Sequence, residues 1–77
     1  MTEEVHILDV KGLNCPMPLL KAKKALNEMA GGELIRVLAT DPGSVRDFDV
    51  FTRQSGNKLL DSWEEAGVFH YLIEKKP

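Results

Sequence analysis

The chain has 77 residues, with ten basic and twelve acidic side chains giving a net charge of −2. That balance argues against a dedicated nucleic-acid binder, which normally carries a basic surplus. No apolar run reaches the ~18 residues of a membrane span, and the one cysteine excludes both an internal disulfide framework and an all-cysteine zinc site.

The remaining bulk features are those of a small soluble domain. The hydrophobic fraction of 43% and charged fraction of 29% are ordinary for a globular chain. A chain of this length buries about 60% of its unfolded surface, so one domain over residues 1–77 is expected, with little stability to spare. The opening Met1-Thr2-Glu3-Glu4-Val5 shows neither the basic region nor the apolar stretch of a signal peptide. A cytoplasmic, reducing location and no membrane association are expected.

His6-Ile7-Leu8-Asp9-Val10 reads as a first strand, and Lys11-Gly12-Leu13-Asn14 as the loop after it. From Pro16 to about Ala30 the pattern is helical. Leu19, Ala22, Leu26 and Met29 recur at three- and four-residue steps, widened by Ala25 and Ala30, and Gly31-Gly32 supplies the stop. Pro16 is placed at the first helical position, where its fixed φ fits and its missing N–H is not needed.

Glu33 to Thr40 reads as a central strand. Asp41-Pro42 then repeats the cap-and-proline device, predicting a second helix with Val45, Phe48, Phe51 and Thr52 on its buried side and Gly56-Asn57 at its end. Lys58–Glu64 and Val68–Glu74 form an antiparallel hairpin around Glu65-Ala66-Gly67, although alternation is poor through Leu59-Leu60-Asp61-Ser62-Trp63. Lys75-Lys76-Pro77 is expected to fray. The order β-α-β-α-β-β, with a right-handed crossover between two parallel strands, predicts an α+β fold. It is a two-layer α/β sandwich with a four-stranded mixed sheet and both helices on one face.

Cys15 is the chemically distinctive residue. An unpaired cysteine is usually a small buried hydrophobe. This one stands at a strand–loop–helix junction, the rim where α/β folds place their sites. Lys11, Lys21, Lys23 and Lys24 lie between residues 11 and 27 with no acidic residue among them. Those lysines and a helix N-terminus predict a stabilised thiolate. Pro16 and Pro18 stiffen the backbone that presents the sulfur, and Met17 between them is either an apolar contact for a partner or a gap filler.

Lys21, Lys23 and Lys24 are individually the solvated side of an amphipathic helix. As a group beside Cys15 they also suit an acidic partner surface, which Arg46 and Arg53 extend. Asp9 is expected to cap or orient the loop. His6 and His70 lie inside strands, away from Cys15 along the chain, so surface or structural roles are expected. Trp63 is expected in the core. No phosphate loop, metal-ligand cluster or aromatic RNA platform is present, so neither metal nor cofactor is expected.

Asp9-Val10-Lys11-Gly12-Leu13-Asn14-Cys15-Pro16-Met17-Pro18 resembles the motif of the TusA/SirA-like family of small sulfur carrier proteins. That motif is an acidic residue, two residues, a glycine, two residues and then Cys-Pro-x-Pro. Asp41-Pro42 and the element order over residues 5–74 agree with it. The resemblance implies a sandwich like the C-terminal domain of translation initiation factor three, and a persulfide carried on Cys15. It implies a sulfur-donor protein, either a cysteine desulfurase or a rhodanese, and a DsrE-like acceptor. The pathways served are tRNA thiolation, molybdenum-cofactor assembly or dissimilatory sulfur oxidation.

Such a protein is a sulfurtransferase-type carrier, monomeric on its own, rather than a stand-alone turnover enzyme. With no second cysteine to resolve the intermediate, delivery must go to another protein. The competing readings are a regulatory or RNA- or protein-binding module in which Cys15 has no chemical part, and a thiol redox sensor.

Overall fold

The computed structural model describes residues 5–77. It contains β1 (Val5–Asp9), α1 (Met17–Asn27), β2 (Leu34–Ala39), α2 (Ser44–Ser55), β3 (Lys58–Glu65) and β4 (Val68–Glu74). The sheet order is β1-β2-β4-β3, with β1 and β2 parallel and the other neighbours antiparallel. This is the α+β sandwich that the element order predicts.

Alternation along the central strands decides which face is covered. Ile35, Val37 and Ala39 of β2 and Tyr71 and Ile73 of β4 are buried, and they meet Ala22 and Leu26 of α1, Met29 just beyond it, and Phe48 of α2. The intervening Arg36 and Leu38 of β2 pair with Leu72 and His70 of β4 on the opposite face. Phe48 stacks on Tyr71 with ring centroids 4.5 Å apart, and the Tyr71 hydroxyl shares a 2.7 Å buried hydrogen bond with Ser44 Oγ. These contacts fix the start of α2 against the sheet.

Several local expectations shift. Helix α1 begins at Met17, with Pro16 as its N-cap (φ −98°, ψ 12°) after a cis Cys15–Pro16 bond. Pro18 takes the second helical position, where its missing N–H is equally harmless. Helix α2 begins at Ser44 rather than at Pro42, because Ser44 N–H first closes a turn onto the Asp41 carbonyl at 3.0 Å. That start gives the buried slot to Ser44 and leaves Val45 50% exposed.

Trp63 is not core. It pairs with His70 on the sheet face away from the helices, stacks on that imidazole at 4.8 Å and lies 5.6 Å from the Arg36 guanidinium. The weak alternation of β3 has a cause, a register shift between Leu59 and Asp61 that leaves Leu60 unpaired. The hairpin turn is only Ala66-Gly67, both at positive φ, as a two-residue turn matched to strand twist requires. The C-terminus does not fray at Lys75. Its N–H donates to Glu33 O and its carbonyl accepts from Gly32 N–H, both at 2.8 Å, while Lys76 N–H donates to Asn57 Oδ1.

Candidate functional site

Parallel pairing of β1 with β2 brings their C-terminal ends side by side, so the loops that follow them meet. The first loop is tightly held. Lys11 N–H donates to Asp9 Oδ1 at 3.0 Å and the Lys11 ammonium lies 3.6 Å from Asp9 Oδ2. Gly12 adopts φ 83°, a left-handed conformation that side chains disfavour. In that conformation its N–H reaches across to Thr40 Oγ1 at the end of β2, at 2.9 Å.

The loop delivers Cys15, an exposed free thiol, against two carboxylates from the second crossover. Cys15 N–H donates to Asp41 Oδ2 at 3.0 Å, and its Sγ–H donates to Asp47 Oδ2 at 2.8 Å. Asp47 lies in the first turn of α2, so the sulfur is directed across the gap between the helices.

This geometry reverses the electrostatic expectation. The Cys15 thiol is pushed above its ordinary value, first by the hydrogen bond to Asp47, then by desolvation and by the negative charges of Asp47 and Asp41. The lysines do not offset this. Lys11 is engaged by Asp9, the Lys23 ammonium sits 5.5 Å over the Phe51 ring, and Lys21 and Lys24 are exposed on α1. The start of α1 also has few donors to offer an anion. Pro16 and Pro18 have no N–H, and that of Met17 donates to the Asn14 carbonyl at 2.9 Å.

The other candidate residues divide by position. Pro18 is buried beneath the site and Pro16 is exposed beside the sulfur. Met17 is 41% exposed and Leu20 49%, an apolar patch on the same helix as Lys21 and Lys24. Between α1 and α2 runs a groove of about 310 Å³, lined by Leu19, Lys23, Arg46, Asp47, Val50 and Phe51 among others. Arg53 is engaged instead by Asp49 at 2.6 Å. His6 is 3.5 Å from Glu33 and His70 lies against Trp63, so neither serves as a base for Cys15. Among the described residues, no group of three or more His, Cys, Asp or Glu is placed to hold a metal. No helix among them is long and apolar enough to cross a membrane.

Asp41 and Asp47 are the residues that sequence reasoning missed. Asp41 was visible only as a helix cap. The available signal was topological: in a parallel pair, polar residues in the loop after the second strand face the loop after the first.

Comparison with known proteins gives a consistent result. The profile of the family described as "Sulfurtransferase TusA" matches residues 6–75. A sulfur carrier protein TusA from Allochromatium vinosum is 60% identical over 68 residues, covering 88% of this chain and 90% of that protein. A sulfur carrier protein TusA from Pseudomonas entomophila is 44% identical over 78 residues, covering 99% and 98%. The crystal structure of a SirA-like protein from Desulfitobacterium hafniense superposes with a TM-score of 0.82 at 25% identity, covering 96% of this chain and all of that one. With its fold, its Cys-Pro-x-Pro loop and nearly its whole length matched, the chain belongs to the TusA family.

Proposed function

We propose that the protein carries sulfane sulfur as a persulfide on Cys15, taking it from a donor protein and passing it to an acceptor protein. The observation that carries this reading is one exposed thiol, held by a clamped loop at the meeting point of the two crossovers in a TusA-family chain. Loading is an exchange in which Cys15–SH and a donor R–S–SH give Cys15–S–SH and R–SH. Cys15 Sγ attacks the terminal sulfur, the donor S–S bond breaks, its electron pair stays on the donor cysteine, and the thiol proton ends there. Unloading is the same exchange with an acceptor thiol as the attacker. The chain has no second cysteine, so it cannot discharge the sulfur into an internal disulfide.

The donor is a cysteine desulfurase or a rhodanese and the acceptor is DsrE-like. Met17, Leu20, Lys21 and Lys24 on α1 supply an apolar and cationic docking surface beside the sulfur, and the groove past Lys23 and Arg46 continues it. A redox sensor of the disulfide-forming type is disfavoured because the sequence has no second cysteine to condense with a sulfenic acid on Cys15.

The test is intact-protein mass spectrometry after incubation with a cysteine desulfurase and cysteine. One added sulfur, about 32 Da, is expected on the wild type and none on Cys15→Ser. No adduct on the wild type, or an adduct that survives Cys15→Ser, contradicts the proposal.

A further inference from the structure

We propose that Asp47 is a positioning residue that favours the empty carrier, holding Sγ as a thiol while it is unloaded and turning the sulfur outward once it is loaded. The inference rests on the persulfide reading of Cys15 and starts from one contact, Sγ–H to Asp47 Oδ2 at 2.8 Å. Only the empty form can make it. In Cys15–S–SH the proton sits on the terminal sulfur, so Sγ has no hydrogen to offer. The same 2.8 Å separation would then set a carboxylate oxygen against sulfur lone pairs. Loading therefore removes an attraction and leaves a repulsion. The side chain relieves it by rotating away from α2, which carries the terminal sulfur toward solvent and an approaching thiol.

The surrounding groups do not screen this effect. From the β2–α2 loop, Asp41 adds a second negative charge while its Oδ2 accepts the Cys15 N–H. From the β1–α1 loop Lys11 is paired with Asp9. Lys23 of α1 and Arg46 of α2 line the groove with Asp47, but among the described residues neither forms an ion pair with it, and the Lys23 ammonium sits over the Phe51 ring. The neighbouring residues of the α1 start, Pro16 and Met17, are uncharged. The unloaded thiol is accordingly pushed above the ordinary cysteine range. Since Asp47 acts through Sγ and bonds to no transferred atom, its effect belongs to the balance between two states.

The experiment measures that balance with a small-molecule probe, glutathione hydropersulfide against glutathione. In the exchange Cys15–SH + G–S–SH ⇌ Cys15–S–SH + G–SH, atoms, electrons and the thiol proton balance without a further reactant. Asp47→Asn keeps the shape and removes the charge, and Asp47→Ala removes the contact. Each is expected to shift the constant toward the loaded carrier, by roughly three- to tenfold for an exposed charge-assisted hydrogen bond. The pH midpoint of alkylation of the unloaded thiol by iodoacetamide should fall in both variants. A purely structural role would move neither value, and circular dichroism shows whether each variant keeps the fold. Equal exchange constants or equal alkylation midpoints in wild type and Asp47→Asn overturn the role given to Asp47. Failure of all three proteins to load, with midpoints that still differ, overturns the carrier reading and the empty-state preference built on it, leaving only the thiol contact.

Discussion

The thiol proton of Cys15 is the point on which the residue-scale chemistry turns. Asp47 holds it by a direct hydrogen bond, whereas Asp41 contributes charge while its Oδ2 binds the cysteine's own N–H. Asp41→Asn should therefore lower the alkylation midpoint by less than Asp47→Asn. An equal or larger drop would show that net charge, not the hydrogen bond, sets the thiol's behaviour. The sign of the stability effect follows from linkage. The folded chain binds this proton more tightly than the unfolded chain, so the contribution is present below the unfolded thiol's value. It is lost as pH rises through the folded one. Urea denaturation over that alkaline window should show a slope that Cys15→Ser reduces, the remainder belonging to Tyr71, whose hydroxyl is likewise pushed up by burial. At this scale the sequence disclosed the sulfur but not its carboxylate. Cys15 announces itself by local spacing, while Asp47, 32 residues further on, becomes a neighbour only when the two crossovers close on one sheet edge.

At the scale of elements, the placement of α2 matters most, because its first turn carries Asp47. Phe48 is fully buried against Tyr71, and Phe48→Ala should cost about 3–5 kcal/mol. A chain of this size has a total stability of roughly 4–12 kcal/mol, so that variant should sit near the threshold of folding in urea titration. Tyr71→Phe leaves the Ser44 hydroxyl buried without its partner, and a loss of about 1–3 kcal/mol is expected. Ala66 occupies φ 52° in the hairpin turn, where Asn-Gly is the favoured pair. Ala66→Asn should accordingly raise the thermal midpoint, and a fall would mean the turn is held by something other than its local geometry. The helix and strand order was legible because apolar spacing is local. The start of α2 was not, because an Asp-Pro pair serves equally to begin a helix or to form the turn before one. In β3 the unpaired Leu60 broke the two-residue period on which facing is read.

For the molecule as a whole, the two faces of the sheet have different surroundings. The helices cover one face and frame the sulfur at its edge, while Trp63, His70 and Arg36 line the other. A tryptophan in so small a chain reads as core from sequence, and only strand pairing shows that it lies beyond the two-layer core. Although the net charge is −2, exposed Lys21 and Lys24 give α1 a local positive face. Reversing both with Lys21→Glu and Lys24→Glu should slow loading from an acidic donor surface and flatten its dependence on ionic strength, because steering by exposed charges is screened by salt. An unchanged rate would move the docking surface elsewhere.

The most direct measurement is a single-turnover chase. Protein loaded with labelled sulfur on Cys15 is freed of donor, mixed with a DsrE-like acceptor and sampled for label on each partner. A carrier should lose label from Cys15 as the acceptor cysteine gains it in equal amount. Label that stays on Cys15, or that leaves only as free sulfide, contradicts a carrier role.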